Sequence, residues 1–318
     1  MAPPPKNRIG QLTLNMISVV IPVRDRTDEL IRAIDSVFRQ TRPADQIIVV
    51  DDGSDSPVID FLKPRYGNAV TVITNAKNLG AAESRNIGVR AAAGEFIAFL
   101  DSDDFWHPEK TAKQLSVFEK NEAVGLVYCD QWLVDGDGRR RESGKALYET
   151  ELWGHLLEGW TAPNPSTLML KKDVFLRLGG FDAGLRSCAD HDLWMRIARS
   201  GVRVAVVPER LSHFSMNISG SRTSFNAALR TAGMRAFLSR WKREISDSHG
   251  LRAYGRFKRD YWIKVVFPLV NFSLRQRHFL AATSLFSRYL LWNPLFYIKS
   301  LSAGAGRIKA IRRGDKKD

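Results

Sequence analysis

Residues 94–110, GEFIAFLDSDDFWHPEK, contain the segment that decides the fold. The apolar run at residues 95–100 is typical of a buried strand. Pro108 suits the first turn of a helix, which we expect to continue to about residue 120. The loop between strand and helix holds three carboxylates within four residues: Asp101, Asp103 and Asp104. A strand that leads through a polar loop into a helix is the repeating unit of an α/β fold.

The same unit recurs on both sides of this segment. Apolar, β-branched runs predict further strands over residues 17–23, 46–51, 70–74, 124–134 and 202–207. Other patterns predict helices over residues 27–40, 80–92 and 189–200, the last ending at Gly201. Strands that alternate with helices at this spacing imply right-handed crossovers. The expected fold class is therefore α/β, with a Rossmann-like, mostly parallel sheet flanked by helices.

Polar residues follow three of the predicted strands at the point where each strand ends. They are Arg24-Asp25, Asp51-Asp52 and the carboxylates of residues 101–104. Ligands of open α/β sheets bind beyond the carboxyl ends of the strands. The sequence therefore predicts a binding site at this edge of the sheet.

The carboxylates of residues 101–104 would repel one another unless a partner neutralised them. An all-oxygen ligand set suits Mg²⁺ or Mn²⁺, which would keep several waters and bridge to phosphate oxygens. His213, after the last predicted strand, is a further candidate ligand for a metal or a phosphate. Two simpler interpretations remain open: a solvated acidic turn that caps the helix at Pro108, and a histidine with a structural role.

Other candidate binding residues surround the second strand and the helix at residues 80–92. Asp52 precedes the turn Gly53-Ser54 and could accept a hydrogen bond from a base or a ribose, although an Asx turn is the alternative. Asn78 and Arg85 lie around the start of the helix. The planar fork of an arginine can bind a base carbonyl or a phosphate, although exposure on the helix is the default for a single arginine.

The segment CADHDLW, residues 188–194, opens the helix predicted at 189–200. A helix dipole stabilises a carboxylate at this end, so Asp190 suits an acceptor of protons. The alternative is that Asp190 only caps the helix. The Asp-His-Asp spacing does not place three metal ligands on one helix face.

The formal net charge of +14 is concentrated at the end of the chain. Residues 222–318 contain 21 Lys and Arg against 5 Asp and Glu, whereas the preceding residues are nearly balanced. We therefore expect a flexible N-terminus at residues 1–15, an α/β domain at 16–221 and a basic, mainly helical region at 222–318.

The compartment is predicted from cysteine usage and from the start of the chain. The 2 cysteines are too few for a disulfide framework, which favours a reducing compartment. The first residues lack the pattern of a secretory signal. The most apolar segment, residues 279–298, is interrupted by Arg288 and Pro294 and makes a poor spanning helix. The expected location is the cytoplasm, with peripheral association at the cytoplasmic membrane face.

Taken together, several segments resemble the family 2 glycosyltransferases, which use the GT-A fold. The resemblance covers roughly residues 16–220, in matching order and spacing. The segments are SVVIPVRDR, SVFRQ, IIVVDDGSDS, NAKNLGAAESRNIG, GEFIAFLDSDDFWHPEKTAKQ, GLVYCD, LGGFD and ADHDLWMRIA. DSDDFWHPEK and IIVVDDGSD are the most specific of these.

The resemblance implies an inverting transferase that uses Mg²⁺ or Mn²⁺ and moves a sugar from a nucleotide-sugar, typically a UDP-sugar, to a hydroxyl group. Asp103 would bind the metal, and Asp190 matches the position of the catalytic base. The expected contacts to the donor nucleotide come from Pro22, Val23, Arg24, Asp52, Asn78, Arg85, Asp101 and Ser102. For the acceptor side we expect Trp160, Asn164 and Asp192. The acceptor would be a saccharide or a lipid-linked saccharide, in polysaccharide or glycolipid synthesis.

Two positions depart from the family pattern. Where the family often has an aromatic residue followed by Asn, this chain has Arg24-Asp25 after Val23, which weakens the transfer of base contacts. Ala189 replaces the acidic residue that often precedes the catalytic Asp, while Asp190 itself is retained.

Two other functions, and two roles for the basic region, are alternatives that the sequence leaves open. A sugar-phosphate nucleotidyltransferase usually opens with a glycine-rich loop, which residues 19–30 lack. A non-catalytic, membrane-associated carbohydrate- or lipid-binding protein would not need both Asp103 and Asp190. The basic region suits an anionic membrane surface, and a helical extension packed on the α/β domain is the alternative. No nucleic-acid recognition motif is present.

Overall fold

The computed structural model describes residues 15–144, 147–216 and 227–275. The chain divides into two compact units, Met1–Gly220 and Ser221–Asp318, next to the position where the charge balance changes. The predicted flexible terminus, apart from Asn15, and the apolar segment at 279–298 lie outside the described residues.

The described residues contain nine strands and nine α-helices. The strands are β1 (Ile17–Val23), β2 (Gln46–Asp51), β3 (Thr71–Thr74), β4 (Phe96–Phe99), β5 (Phe105–Trp106), β6 (Val124–Val134), β7 (Arg140–Glu142), β8 (Leu168–Lys171) and β9 (Arg203–Ser215). The helices of the first unit are α1 (Thr27–Phe38), α2 (Ile59–Tyr66), α3 (Ala81–Ala91), α4 (Lys110–Lys120), α5 (Leu152–Leu157), α6 (Lys172–Arg177) and α7 (Ala189–Ser200). Those of the second unit are α8 (Ala227–His249) and α9 (Leu251–Arg275).

The strands form one sheet in the order β3-β2-β1-β4-β8-β6-β9-β5, with β7 beside β6. The strands β1, β2, β3, β4, β6 and β9 share one direction, and β8 is inserted antiparallel between β4 and β6. The short strands β5 and β7 also run against the others. The predicted α/β fold with a mostly parallel sheet is confirmed, and the antiparallel β8 is an addition that the sequence patterns did not indicate.

The strand β1 lies at the centre of the parallel part of the sheet. All seven of its residues are buried, which explains a continuous apolar run without alternation. The helix α3 packs closely on it through Gly88, where an added Cβ would lie 2.3 Å from Cγ1 of Val20. Because Val23 of β1 is paired with Asp51 of β2, the loops after these strands begin at the same level.

The strand β9 is longer than predicted. The predicted strand ended at residue 207, directly before Pro208, which lacks the N–H that a ladder needs. In the structure, the register with β6 shifts between Cys129 and Asp130, whose partners are Val207 and Arg210. This irregularity accommodates Pro208, so the strand continues and His213 lies within β9 rather than after it.

A buried lysine lies beneath the loop that follows β4. Nζ of Lys110 donates to Oε1 of Gln114 at 2.7 Å and lies 4.1 Å from the ring centroid of Trp106. The amide of Gln114 in turn donates to the carbonyl of Thr167 at 2.8 Å. Burial lowers the pKa of Lys110 to about 8. A charged ammonium is therefore kept in the core with a neutral hydrogen-bond partner and an aromatic face.

The second unit contains a helical hairpin, so the predicted helical character of the basic region is confirmed for residues 227–275. Gly250, with a positive φ of 83°, separates α8 from α9. The helices meet through Phe237 and Tyr261, with ring centroids 4.7 Å apart, and through a 3.1 Å hydrogen bond from the Tyr254 hydroxyl to the Leu238 carbonyl. Of the described helices, none is both long enough and apolar enough to cross a bilayer.

Substituting Lys110→Met should change the pH dependence of stability. The unfolded chain holds this proton up to the ordinary pKa of 10.5, whereas the folded chain releases it near 8. Because the unfolded state binds more protons between these values, the free energy of unfolding gains a contribution that rises from pH 8 to 10.5. The free energy of unfolding of wild type, relative to that of Lys110→Met, should therefore rise by roughly 2–3 kcal/mol over this range.

Urea unfolding at a series of pH values measures this difference. The exposed Lys63 provides the matched control, since Lys63→Met should leave the pH profile parallel to that of wild type. A Lys110→Met profile parallel to wild type between pH 8 and 10.5 would contradict the assignment.

Candidate functional site

The loops after β1 and β2 are tied together at the carboxyl edge of the sheet. The backbone N–H of Asp25 donates to the Ser54 hydroxyl at 3.0 Å, and the N–H of Asp55 donates to Oδ1 of Asp25 at 2.8 Å. Asp25 adopts a positive φ of 53°. Arg24 is exposed and pairs with Asp25, while Pro22 and Val23 are buried at the end of β1. Of the residues here that are predicted to contact the donor nucleotide, Arg24 is therefore the one exposed to solvent.

The two aspartates that end β2 have different environments. Asp51 accepts from the N–H groups of Ser54 and Val58 at 3.0 and 3.2 Å, so the turn is formed by Asp51 and not by Asp52, for which it was the alternative. Asp52 is buried and accepts three hydrogen bonds from the segment that leads into α3. The donors are the side chain of Asn75 and the N–H groups of Leu79 and Gly80, at 3.0, 2.8 and 2.8 Å. An ionised carboxylate has about four acceptor positions, so one further donor can still be accepted.

The glycine after these aspartates allows two loops to approach. Gly53 has a positive φ of 70°, and an added Cβ would lie 2.9 Å from the backbone carbon of Lys77. The segment it contacts carries Asn78, whose side-chain oxygen accepts a 3.0 Å hydrogen bond from Arg186. Asn78 is thus held between the loop after β2 and the loop before α7.

Arg85 and Asp101, both predicted to contact the donor nucleotide, form an ion pair. The guanidinium also lies 5.2 Å from the ring centroid of Phe181. Arg85 is therefore buried and engaged, unlike the exposed helical arginine that was the alternative interpretation. The carboxylate of Asp101 remains a quarter exposed on its side chain, so this residue still faces the edge of the sheet.

A single hydroxyl organises the acidic loop. The Ser166 hydroxyl accepts from the N–H of Asp101 at 3.0 Å and donates to Oδ2 of Asp104 at 2.7 Å. The other oxygen of Asp104 accepts from the N–H of Ser215 at 3.0 Å. Asp104 is fully buried, and Ser102 is also buried. The alternative of a solvated acidic turn therefore does not describe this loop.

Asp103 has a cationic partner that the sequence analysis did not identify. Its Oδ2 accepts from Nη1 of Arg26 at 2.7 Å, while its carbonyl accepts from Nη2 of Arg32 at 2.8 Å. The same Arg32 nitrogen donates to the Ser215 hydroxyl at 2.9 Å. Arg26 immediately precedes α1, so the β1–α1 loop supplies the charge that balances Asp103. The only signal in the sequence is the arginine that closes the segment VRDR.

His213 lies behind this loop as a neutral ring. It is buried and stacks on Phe105 with ring centroids 4.4 Å apart and planes inclined by 8°. Burial, reinforced by the cationic Arg140 and Arg32, lowers the pKa of His213 to about 4. Neither ring nitrogen has a hydrogen-bond partner of good geometry in the described part of the chain. A metal or a phosphate would therefore meet a neutral His213 at pH 7.

The donor set of this edge fits a cation that needs few protein ligands. Among the described residues, no three His, Cys, Asp or Glu side chains lie together as a metal cage. The oxygens of Asp104 are taken by protein donors, and Asp101 pairs with Arg85. Asp103, which pairs with Arg26, is the remaining carboxylate of this loop that could serve as a ligand for a cation. Mg²⁺ is commonly held by one or two carboxylates together with substrate phosphates and waters, and this arrangement matches that pattern.

Asp190 lies in the first turn of α7, at the positive end of the helix dipole. Its side chain is 34% exposed and approaches Nδ1 of His191 at 3.2 Å. Cys188, with a positive φ of 69°, turns the chain into the helix. By contrast, Asp192 is fully buried and accepts from Arg196 at 2.8 Å. The predicted acceptor contact of Asp192 stays a prediction, and in the structure its carboxylate is enclosed and paired within the helix.

The other predicted acceptor residues border an aromatic cluster next to α7. Trp160 lies with its ring 5.4 Å from that of Trp194, and the Trp194 indole donates to the Pro163 carbonyl at 3.0 Å. In the next residue, Asn164, both polar atoms of the side-chain amide are buried and have no hydrogen-bond partner in the described part of the chain. An unsatisfied amide at this place is what a polar ligand would complete.

Two sets of contacts join the start of α7 to the acidic loop. Trp194, one helical turn after Asp190, donates to the carbonyl of Pro163. Ser166, three residues after Pro163, forms hydrogen bonds with Asp101 and Asp104. On the other side, Arg186 donates to Asn78, the amide of Asn86 donates to the carbonyl of Phe181, and Phe181 packs on Arg85. The loop before α7 is thus fastened to the start of α3. The acidic loop and the start of α7 are thus linked through the segment from Pro163 to Ser166.

Comparison with known proteins gives an independent view of the chain. The family model for glycosyl transferase family 2 matches residues 18–179. An uncharacterised glycosyltransferase of Haemophilus influenzae is 33% identical over 186 residues, covering 57% of this chain and 62% of that protein. An uncharacterised glycosyltransferase of Rickettsia bellii is 28% identical over 210 residues, or 66% of this chain and 30% of that protein. The chain thus spans less than two thirds of the length of these relatives.

Solved structures show the same fold. S. aureus TarS matches with a TM-score of 0.59 and 18% identity, covering 78% of this chain and 43% of that protein. TarS 1–349 in complex with UDP matches with a TM-score of 0.52 and 16% identity, covering 86% of this chain and 91% of that structure. At this level of identity the likeness concerns the fold, and it confirms the GT-A-like architecture.

Proposed function

The chain belongs to glycosyltransferase family 2, and from this premise we propose that it is an inverting, divalent-metal-dependent transferase. It moves a sugar from a nucleotide-sugar to an acceptor hydroxyl. One observation supports the proposal: contacts through Ser166, Trp194 and Arg186 link the acidic loop, the loop before α3 and the start of α7. The reaction requires a cation that holds the donor diphosphate near a proton acceptor, and in this proposal Asp103 would hold the cation and Asp190 would accept the proton.

The donor in this proposal is a UDP-sugar. The related TarS structure contains UDP. In this chain, Asp52 retains room for one more hydrogen-bond donor after its three loop contacts, which suits the N–H of a uracil ring. Arg24 is exposed beside it at the end of β1, and Asp101 faces the same edge from the end of β4. These residues would bind the nucleoside, with Arg85 fixing the orientation of Asp101.

Catalysis would follow a single displacement. Asp190 accepts the proton of the acceptor hydroxyl while the hydroxyl oxygen forms a bond to the anomeric carbon of the donor. The bond from that carbon to the diphosphate oxygen breaks, and the electron pair leaves with the nucleoside diphosphate. A bound divalent cation, held by Asp103, would supply charge stabilisation for the leaving group. Because attack and departure occur on opposite sides of the carbon, its configuration is inverted.

The acceptor would be a saccharide or a lipid-linked saccharide. Trp160 lies beside the face of α7 that carries Asp190, and an aromatic ring provides a surface on which a sugar ring can pack. The amide of Asn164 offers a donor and an acceptor for sugar hydroxyls. In this proposal both residues would line the side from which the acceptor hydroxyl approaches Asp190.

The two competing functions receive less support. A sugar-phosphate nucleotidyltransferase would be expected to carry a glycine-rich loop after the first strand, and the β1–α1 loop reads RDR without a glycine. A non-catalytic binding protein would not need a part-exposed carboxylate at the start of α7 in addition to Asp103.

Substituting Asp190→Asn should remove turnover and spare donor binding. The amide cannot accept the proton of the acceptor, and general bases typically contribute about 10²–10⁴-fold to a rate, so a loss in this range is expected. Release of UDP from the active member of a nucleotide-sugar panel measures turnover, and calorimetry with UDP measures binding. The exposed Asp173, which pairs with Arg177 on α6, provides the matched control Asp173→Asn. Wild-type turnover in Asp190→Asn would show that the base is elsewhere.

We further propose that the helical hairpin of the second unit docks on anionic lipid. Exposed basic side chains flank its turn on both helices: Lys242, Arg243, Arg252 and Arg256. Between them Leu251 is 71% exposed, a combination suited to an interfacial surface. Such docking would bring the enzyme to a lipid-linked acceptor.

Reversing two of these charges, Arg252→Glu with Arg256→Glu, should weaken co-sedimentation with phosphatidylserine-containing vesicles by roughly tenfold or more. Pure phosphatidylcholine vesicles should bind little of either protein. Reversal of the exposed Arg177 on α6 is the control and should leave binding unchanged. Equal binding of the double variant and wild type would contradict a docking role for the hairpin.

A further inference from the structure

The ion pair between Arg26 and Asp103 occupies the place where the proposed mechanism needs a cation. Oδ2 of Asp103 accepts from Nη1 of Arg26 at 2.7 Å, and the two side chains are only 10% and 18% exposed. A carboxylate this enclosed is costly without a counter-charge. Arg26 therefore serves as the counter-ion of Asp103 in the structure described here.

The neighbouring charges are committed elsewhere. Asp101 pairs with Arg85, and Asp104 is held by the Ser166 hydroxyl and the Ser215 N–H. Arg32 donates to the Asp103 carbonyl rather than to its carboxylate. Movement of Arg26 would thus break the ion pair of Asp103 and leave the contacts of Asp101 and Asp104 in place.

A divalent cation on Asp103 would compete with Arg26 for the same oxygen. Both positive charges would lie within a few ångströms of each other, where repulsion in a partly buried site amounts to several kcal/mol. We propose that Arg26 exchanges partners: it leaves Asp103 when the cation binds and pairs with the diphosphate of the donor. This inference rests on the proposed function, because it assigns Arg26 a role at the same site.

The geometry favours the diphosphate as the second partner. The diphosphate is the anion that the proposed donor would bring to the loop that contains Asp103, which lies within reach of Arg26. The planar fork of arginine can bind two phosphate oxygens together. The backbone of Arg26 is fixed where β1 ends and α1 begins, in an extended conformation with φ −144° and ψ 98°. Only the side chain has to move.

The exchange makes cation binding and diphosphate binding help each other. The cation must displace Arg26 when it binds alone, whereas the diphosphate provides the displaced side chain with a new partner. The coupling between the two ligands is reciprocal, so it can be measured from either side.

The test compares full-length wild type with Arg26→Gln, using Mn²⁺ and UDP as the probes. Binding of Mn²⁺ alone, followed by electron paramagnetic resonance, should be about fivefold tighter in Arg26→Gln because the competing charge is gone. The factor by which UDP enhances Mn²⁺ binding should fall by about tenfold, since the variant cannot contact the diphosphate. Arg42→Gln is the matched control: Arg42 forms a similar 2.9 Å ion pair with Asp45 away from the site, and its loss should leave both values unchanged.

A second variant releases Arg26 without a metal. In Asp103→Asn the arginine loses its charged partner, so metal-free UDP affinity should rise about fivefold above wild type. The double variant Asp103→Asn with Arg26→Gln should lose this gain, which isolates the contribution of Arg26. Circular dichroism and thermal unfolding of each variant establish that the fold is retained.

The outcomes separate this inference from the proposed function. Unchanged or weaker Mn²⁺ binding in a folded Arg26→Gln variant would overturn the exchange, even if wild type transfers sugar in a metal-dependent way. Tighter Mn²⁺ binding in Arg26→Gln, with metal-free UDP affinity raised in Asp103→Asn, supports the exchange even if no transfer is detected. In that case the transferase assignment would fail and the exchange would stand.

Discussion

The carboxylates at the carboxyl edge of the parallel strands constrain everything else in this molecule, because an enclosed carboxylate must have a partner. Asp51, Asp52 and Asp104 are buried and satisfied by backbone N–H groups, a hydroxyl and an amide. Asp101 and Asp103 instead receive arginines from α3 and from the β1–α1 loop. The first group therefore builds the edge. In the second group, Arg85 holds Asp101 in place, while Arg26 is the partner that the proposed exchange would transfer from Asp103 to a phosphate ligand.

The antiparallel strand β8 gives this edge its second half. It enters between β4 and β6 directly after Ser166, so the hydroxyl that organises the acidic loop is set by the sheet itself. The preceding residue pair, Asn164 and Pro165, connects this point to the aromatic residues that pack on α7. Donor-side and acceptor-side residues are consequently positioned by one short segment, and a displacement of β8 would disturb both.

Much of the fold could be predicted from sequence, because β1, β2 and β6 are apolar runs bounded by clear turn residues. The site was harder. Asp52, Asp101, Asp103 and Asp190 could be chosen as candidates because each follows a strand or begins a helix, and their roles stay predictions. Arg26 was missed, since it meets Asp103 across 77 residues and no local pattern records such a pair. The burial of Asp192 was not foreseen, because spacing on a helix does not reveal which side of the first turn is enclosed. The continuation of β9 past Pro208 depended on an irregular register with β6, which only the partner strand determines.

The central claim is that Asp103 holds a cation against a diphosphate at this edge. Calorimetric titration of UDP into the full chain, in Mn²⁺ and again in EDTA, tests it most directly. The account predicts that Mn²⁺ strengthens UDP binding by at least about tenfold, as expected for a cation that bridges protein and phosphate, and that Asp103→Asn abolishes the gain. Equal UDP affinity in Mn²⁺ and in EDTA would contradict it.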